Sequence, residues 1–305
     1  MYKGILEGIF ESNGVRTEAE KIAYLQGLKP DMNKLFDAFR SNAIKVDYGN
    51  ENIQSCYLIR YFPIYTQPII DVMKKIKEGG RMIRMSSADL VRLVFIGPGP
   101  CPEVVGLLTI INSYKKNINY EICLIDKYID SWGYSRAIAY DKLILAIPDS
   151  GNIALETCED DFMDANFYSR HLDKFGNSDI VVFQFCLNET QPNRYQDVIT
   201  NLAKIVAGLK DDRMLVIIER LGYDAMVNLI KNLEKYVVEK DIAEVLFSID
   251  HQAYEPQYHD IVNDIPSVIT DNLLDGVGWS NANGRIPSRK VSYRFSAIKK
   301  KKAVE

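Results

Sequence analysis

Two hydrophobic rhythms divide the chain. From residue 1 to 80, apolar positions recur at helical spacing. Ile5-Leu6 pairs with Ile9-Phe10, Ile22 with Leu25 and Leu28, and Leu35, Phe36 and Phe39 follow a Pro30-Asp31 start. No alternating strand pattern interrupts them. These apolar faces need a surface to cover, so residues 1–80 read as a helical cap on a larger body. Residues 81–305 instead alternate short apolar runs with amphipathic ones. Strands are expected over 93–96, 121–125, 153–157, 179–185, 214–218, 243–249 and 291–298. Helices are expected over 103–114, 132–140, 195–209 and 225–238. Residues 142–147 are apolar enough for a further strand, ended abruptly by Pro148-Asp149-Ser150-Gly151, and Ser131 stands where it caps the helix over 132–140. Strands alternating with helices predict an α/β fold with a doubly wound, mostly parallel sheet.

The stretch VRLVFIGPGPCPE, residues 91–103, is the local centre of that fold. A buried strand runs into a turn with two residues lacking Cβ, and a helix follows. Such a turn admits a ligand close to the backbone, and the helix start offers unpaired N–H groups. The next strand ends in Asp126, an acid placed to accept hydrogen bonds from ribose hydroxyls. The site is of nucleotide type.

On GPGPCPE, on LIDKY with Asp126, on CEDDFMD with Asp161-Phe162 and on DIVVFQFCLNE, the chain from residue 91 onward resembles the class I methyltransferases that use S-adenosylmethionine. The resemblance implies a seven-stranded sheet whose last strand, VSYRFSAI, is antiparallel and inserted beside the sixth. A dehydrogenase sheet is normally all parallel. The resemblance also implies that Gly97, Pro98 and Gly99 pass under the methionine part, that Asp126 with Lys127 holds the ribose, and that Asp161 and Phe162 frame the adenine, with Phe185 closing the cofactor site. A Tyr-x-x-Arg-Tyr pattern in the cap is similar to that of methyltransferases with helical N-terminal extensions. Arg60 would meet the ligand carboxylate through its two-pronged fork. Tyr57 and Tyr61 would line a substrate cleft with Asn188 and Tyr254. The bland alternative for residues 54–68 is an aromatic helix packed on the sheet.

The chain departs from the family pattern twice. Phe95 stands where an acid usually meets the methionine amine, and Cys101-Pro102 occupies the third small position of the turn. Glu103, at the helix start, is either a stand-in for that acid or a cap favoured by the helix dipole.

The methyl acceptor is less legible. No Pro-Pro pair follows Asn188, which disfavours adenine-N6 chemistry and leaves a small molecule ahead of protein or RNA. Glu189 and His251 are the candidate bases; Asn188 and Glu189 alternatively cap the next helix. Residues 250–289 form a long irregular segment with several aromatics, expected to act as a lid. Five scattered cysteines without a C-x-x-C pair, and two histidines there at no ligand spacing, predict no metal site. A net charge of −4 argues against a broad electrostatic hold on nucleic acid. No leader and no long apolar run predict a cytoplasmic protein that does not span a membrane. Three rival readings remain. One is a methyltransferase-like binding subunit that has lost turnover. Another is an NAD-dependent oxidoreductase or synthase, disfavoured because no third glycine follows Gly99 in register. The third concerns assembly: a homodimer through the cap and lid.

Overall fold

Residues 1–40, 46–80, 89–220, 224–249, 257–258, 265–273 and 290–302 are described by the structure, a computed structural model. The chain opens with helices α1 (Tyr2–Ser12), α2 (Glu18–Gly27), α3 (Lys29–Arg40), α4 (Glu51–Arg60) and α5 (Phe62–Glu78). Their ends follow from capping chemistry. Thr17 Oγ1 accepts from the Glu20 N–H while the Glu20 carboxylate accepts from the Thr17 N–H, a reciprocal box at the start of α2. Asn50 Oδ1 accepts from the N–H groups of Asn52 and Ile53 at the start of α4. Helices α4 and α5 meet at Tyr61, and Pro63 sits in the first turn of α5, where a helix needs no N–H.

The rest of the chain alternates as expected: β1 (Leu90–Ile96), α6 (Pro102–Tyr114), β2 (Ile118–Asp126), α7 (Gly133–Ala139), β3 (Ser150–Glu159), α8 (Phe167–Arg170), α9 (Leu172–Asn177), β4 (Ile180–Gln184), α10 (Tyr195–Gly208), β5 (Met214–Arg220), α11 (Asp224–Glu239) and β6 (Ala243–Phe247). A two-residue strand β7 (Gln257–Tyr258), helix α12 (Ser267–Asn272), its partner strand β8 (Lys290–Val291) and the long β9 (Tyr293–Lys300) complete it. Seven strands form one sheet in the order β3-β2-β1-β4-β5-β9-β6. All neighbours are parallel except β9, which runs antiparallel to both β5 and β6. This is the doubly wound sheet with a reversed last strand that the sequence predicts. The chain winds outward from β1 to β3, then returns to place β4 on the other side of β1. Loops leaving β1 and β4 therefore diverge and open a crevice at the carboxyl ends of these strands.

Alternation along the strands sorts the core into two layers. Leu93, Phe95, Ile180, Val182, Val216 and Ile218 face the helical cap and share one cluster with Ile59, Phe62, Ile69 and Ile76. Val94, Ile96, Val181, Phe183, Leu215 and Ile217 face α10 and α11. The cap approaches closely because Gly106 of α6 has no side chain. A Cβ there would lie 2.3 Å from the Thr66 carbonyl of α5. Gly8 of α1 plays the same part against Ile138 of α7, at 2.4 Å.

Two local expectations need correction. Residues 142–147 are not a strand: Tyr140–Ile144 continues α7 as a π-helical turn, and Leu143 and Ile144 are buried, Leu143 against Gly4 of α1. Those apolar side chains serve a helix-helix contact, and the strand after them begins at Ser150, earlier than 153. Ser131 does not cap α7. Its carbonyl accepts from Gln54 Nε2, and the Gln54 Oε1 accepts from the N–H and the hydroxyl of Ser135, so α4 fastens the whole loop. Among the described residues, no helix is long and apolar enough to cross a membrane.

Candidate functional site

A cleft of about 180 Å³ opens over the carboxyl ends of β1, β2 and β4, under the cap. Its floor is a turn in which every second residue is left-handed: Gly97 at φ +64°, Gly99 at +51° and Cys101 at +70°. Pro98, Pro100 and Pro102 fill the intervening places. The third small position of the pattern is thus kept in conformation although the residue is cysteine. Side chains at the two glycines would intrude. A Cβ at 97 meets Cys186 Cβ at 2.7 Å, and one at 99 meets the Trp132 ring at 3.3 Å.

Asp126 closes one side, 7% exposed. Its Oδ2 accepts from Gly99 N at 3.1 Å and its Oδ1 from Tyr128 N at 2.7 Å, which locks the acid to the turn. Burial raises its pKa, and those two N–H groups oppose the shift. Each oxygen keeps a free lone pair for a hydroxyl donor. Beyond it, Lys127 pairs with Asp161 at 2.9 Å, and Phe162 sets its ring edge-on to Phe183. The loop that carries them is held from below. Asn201 Nδ2 donates to the Phe162 and Asp164 carbonyls, and Arg170 and His171 both bond to Asp160.

Glu103, in the first turn of α6, is 2% exposed and lines the cleft. Burial drives its pKa well above the ordinary value and the Asp126 carboxylate adds to the effect. Glu189 is exposed at the mouth. Lost hydration still raises its pKa, with the Asp126 and Asp161 carboxylates contributing repulsion.

The roof is aromatic. Tyr48 stacks on Trp132 at 4.3 Å, Trp132 meets Tyr57 at 5.1 Å, and Tyr65 meets Phe185 at 5.0 Å. Phe185 adopts φ +59°, a conformation that costs a bulky residue about 1–3 kcal/mol and turns its ring into the cleft. Next to it, the Leu187 N–H donates to Glu219 Oε1 at 2.8 Å, fixing the short turn that carries Asn188 and Glu189. Glu219 is fully enclosed and its pKa is pushed up to about 8, first by burial.

The structure therefore gathers Tyr57, Gly97, Pro98, Gly99, Asp126, Lys127, Asp161, Phe162, Phe185, Asn188 and Glu189 around one cleft. It does not bring Arg60 or Tyr61 to the lining. The Arg60 guanidinium is buried over the Phe36 and Tyr61 rings at 5.0 Å each, and Tyr61 stacks behind Tyr65. His251 and Tyr254 lie outside the described residues, as does most of the lid segment 250–289. Sequence reasoning passed over Tyr48, Trp132, Gln184 and Arg220, which also line the cleft. Only Gln184 carried a signal, as a polar residue ending the run Ile180-Val181-Val182-Phe183. A larger hollow of about 690 Å³ lies on the far half of β1–β3. There Arg92 is paired with Glu121 and Lys174 with Glu156, and no glycine turn approaches it. Among the described residues, no cluster of ligating side chains could hold a metal.

No family model and no curated protein matches the chain. Solved structures resemble it at low identity. A putative class I S-adenosylmethionine-dependent methyltransferase from Listeria monocytogenes matches at 10% identity and TM-score 0.47, over 100% of this chain and 89% of that one. The CurJ carbon methyltransferase matches at 12% and 0.44, over 94% and 72%. Phosphoethanolamine N-methyltransferase 2 of Haemonchus contortus, in complex with S-adenosyl-L-methionine, matches at 11% and 0.36, over 75% and 52%. The fold is read from the sheet itself: the strand order, with the antiparallel β9 between β5 and β6, is that of the class I methyltransferases.

Proposed function

We propose that the protein is an S-adenosylmethionine-dependent methyltransferase acting on a small molecule. The observation that carries this reading is the coupling of a glycine cradle to an acid. A Cβ at Gly97 would clash with Cys186 and one at Gly99 would crowd the Trp132 ring, and the Gly99 N–H is bonded to Asp126. The residues suit the cofactor chemically. Asp126 has lone pairs left for ribose hydroxyls, and Phe162 offers a flat apolar wall beside Asp161 for adenine. Phe95 is fully buried in the sheet and offers nothing to an amine. Glu103 supplies the missing carboxylate, because an acid held above its ordinary pKa by burial becomes ionised when an ammonium group arrives beside it. The cleft is smaller than the ~300 Å³ usual for a ligand site, so a bound cofactor must displace part of the aromatic roof, of which Trp132 lies against Gly99.

When bound, the cofactor supplies an electrophilic sulfonium methyl. The protein's share is alignment and exclusion of water, and orienting two reactants can contribute roughly 7–11 kcal/mol. The aromatic roof excludes water, and Glu189 at the mouth is the group placed to take a proton from an acceptor. The reversed β9 disfavours the dehydrogenase reading, whose sheet is normally all parallel.

Calorimetric titration with S-adenosylmethionine tests the proposal. Micromolar binding is expected, and Asp126→Ala should weaken it roughly 10–100-fold, the worth of a hydrogen bond to a charged group. No binding at millimolar cofactor, or an unchanged affinity in the variant, would overturn it. The buried Phe95 also supports a second reading, a binding subunit without turnover. Binding with no methyl transfer to any of a broad acceptor panel would favour that one.

A further inference from the structure

The cap end of the cleft carries polar atoms that the cofactor reading leaves unused. Gln184, the last residue of β4, is 5% exposed. Its Nε2 donates to the Tyr65 carbonyl at 2.7 Å, which fixes the orientation of the amide. Its Oε1 is buried and accepts no hydrogen bond among the described residues, and the same is true of Asn188 Oδ1. A buried acceptor left unmatched costs about 1–3 kcal/mol. Both residues line the cleft, so a ligand donor is the partner that would remove the cost.

The position of Gln184 separates it from the nucleoside end. It shares the pleat side of Ile180 and Val182, which face the cap, whereas Asp161 and Phe162 lie beyond Asp126. Three donors of this region are engaged elsewhere: Leu187 N–H on Glu219, Lys127 on Asp161 and Gln184 Nε2 on Tyr65; the Arg220 guanidinium also lines the cleft. The rings of Tyr57, Tyr65 and Phe185 line the same cleft as the two residues, with Tyr57 and Tyr65 centred 6.3 Å apart. Ring faces attract cations. Oxygen acceptors, aromatic faces and the Glu189 carboxylate at the mouth share one complement: a positively charged nitrogen bearing hydrogens.

We infer that the methyl acceptor is a small amine, bound as an ammonium with its N–H groups on Gln184 Oε1 and Asn188 Oδ1 and its charge against Tyr57 and Tyr65. The inference rests on the methyl-transfer reading and names its acceptor class. A thiol has one weak donor for two oxygens, and a carbon nucleophile has none. Before transfer the ammonium loses one proton to Glu189 or water. The freed nitrogen pair then makes the C–N bond as the S–CH3 bond breaks. Sulfur keeps the electron pair of the broken bond, and the positive charge passes to nitrogen.

Calorimetry on the full chain tests this without turnover. Phenethylamine and 2-phenylethanol carry the same ring and differ in the charged nitrogen. The amine should bind at least tenfold more tightly. Asn188→Ala and Gln184→Met should each weaken it about tenfold while S-adenosylmethionine affinity stays within twofold. Asn188→Ala keeps the test decisive if the Gln184 variant misfolds. Equal binding of amine and alcohol, with cofactor binding intact, overturns the inference alone. Binding of a lysine-containing peptide but not of the free amine overturns the small-molecule assignment. Failure of the cofactor titration itself overturns the reading beneath both.

Discussion

At one end of the cleft, three consecutive odd-numbered residues turn the chain left-handed and a buried acid is bonded to two backbone N–H groups. At the other end, Tyr57 and Tyr65 come from the cap and Gln184 and Phe185 from the end of β4, and behind them the buried Glu219 of β5 holds the Leu187 N–H. The first end is made of backbone and tolerates almost no added atom. The second is made of side chains and stands on buried polar groups whose protonation and partners can change. Backbone geometry suits a constant part of a reaction, and side chains suit the part that selects. The comparison can be broken by experiment at either end.

The largest effect is expected from the side-chain end. Glu219 is pushed up to about 8 from 4.5, so the folded state holds its proton through a window where the unfolded chain releases it. Unfolding then releases a proton, and stability falls as pH rises from about 4.5 to about 8, levelling outside that window. The difference amounts to roughly 5 kcal/mol. Glu219→Gln keeps an acceptor for the Leu187 N–H and has no proton to lose. Urea unfolding at a series of pH values should give a flatter stability profile for this variant than for the wild type. Parallel profiles would mean that Glu219 is ionised in the fold, and that the cap end needs no buried proton.

Gly97→Ala attacks the other end. The residue sits at φ +64° and the new Cβ would be 2.7 Å from Cys186 Cβ. The left-handed conformation costs about 1–2 kcal/mol and the overlap a further 1–3 kcal/mol or so. S-adenosylmethionine affinity should fall about 100-fold with a cooperative but lowered melting transition. An affinity within threefold of wild type would show that the turn does not bear the ligand. Then the two ends would differ less than their construction suggests.

How far the sequence discloses each end follows from the same contrast. The sheet is legible because strands such as Ile180–Gln184 are apolar on both sides and β9 alternates between Pro287 and the lysine run. The glycine turn is legible because its residues are contiguous and their types are dictated by φ. Tyr48 and Trp132 are not legible: they lie far apart in the chain, and only the packing of cap on sheet stacks them. Arg60 shows the opposite failure. Its type suits a carboxylate, but helix phase turns it toward Phe36 and away from the cleft. Residues 142–147 are ambiguous in sequence because an apolar run of strand length also fits a helix buried on several sides.

The smallest effect, and the sharpest test of a backbone-defined floor, belongs to Cys101. It holds φ +70° and ψ +40° at the start of α6, is fully buried, and makes one weak contact from Sγ to the Gly99 carbonyl at 3.7 Å. Glycine would relieve about 1–2 kcal/mol of left-handed strain. It would also give up the burial of a small apolar thiol, worth about 1 kcal/mol. The two nearly offset, so Cys101→Gly should change stability by less than about 1 kcal/mol. Cofactor affinity should stay within twofold, because the N–H directions in the turn are unchanged. Cys101→Val, by contrast, forces a β-branched residue into positive φ and should lower both stability and affinity. If the glycine variant instead lost affinity tenfold, the thiol would be part of the ligand surface, and this end of the cleft would be chosen by side chains as the other is.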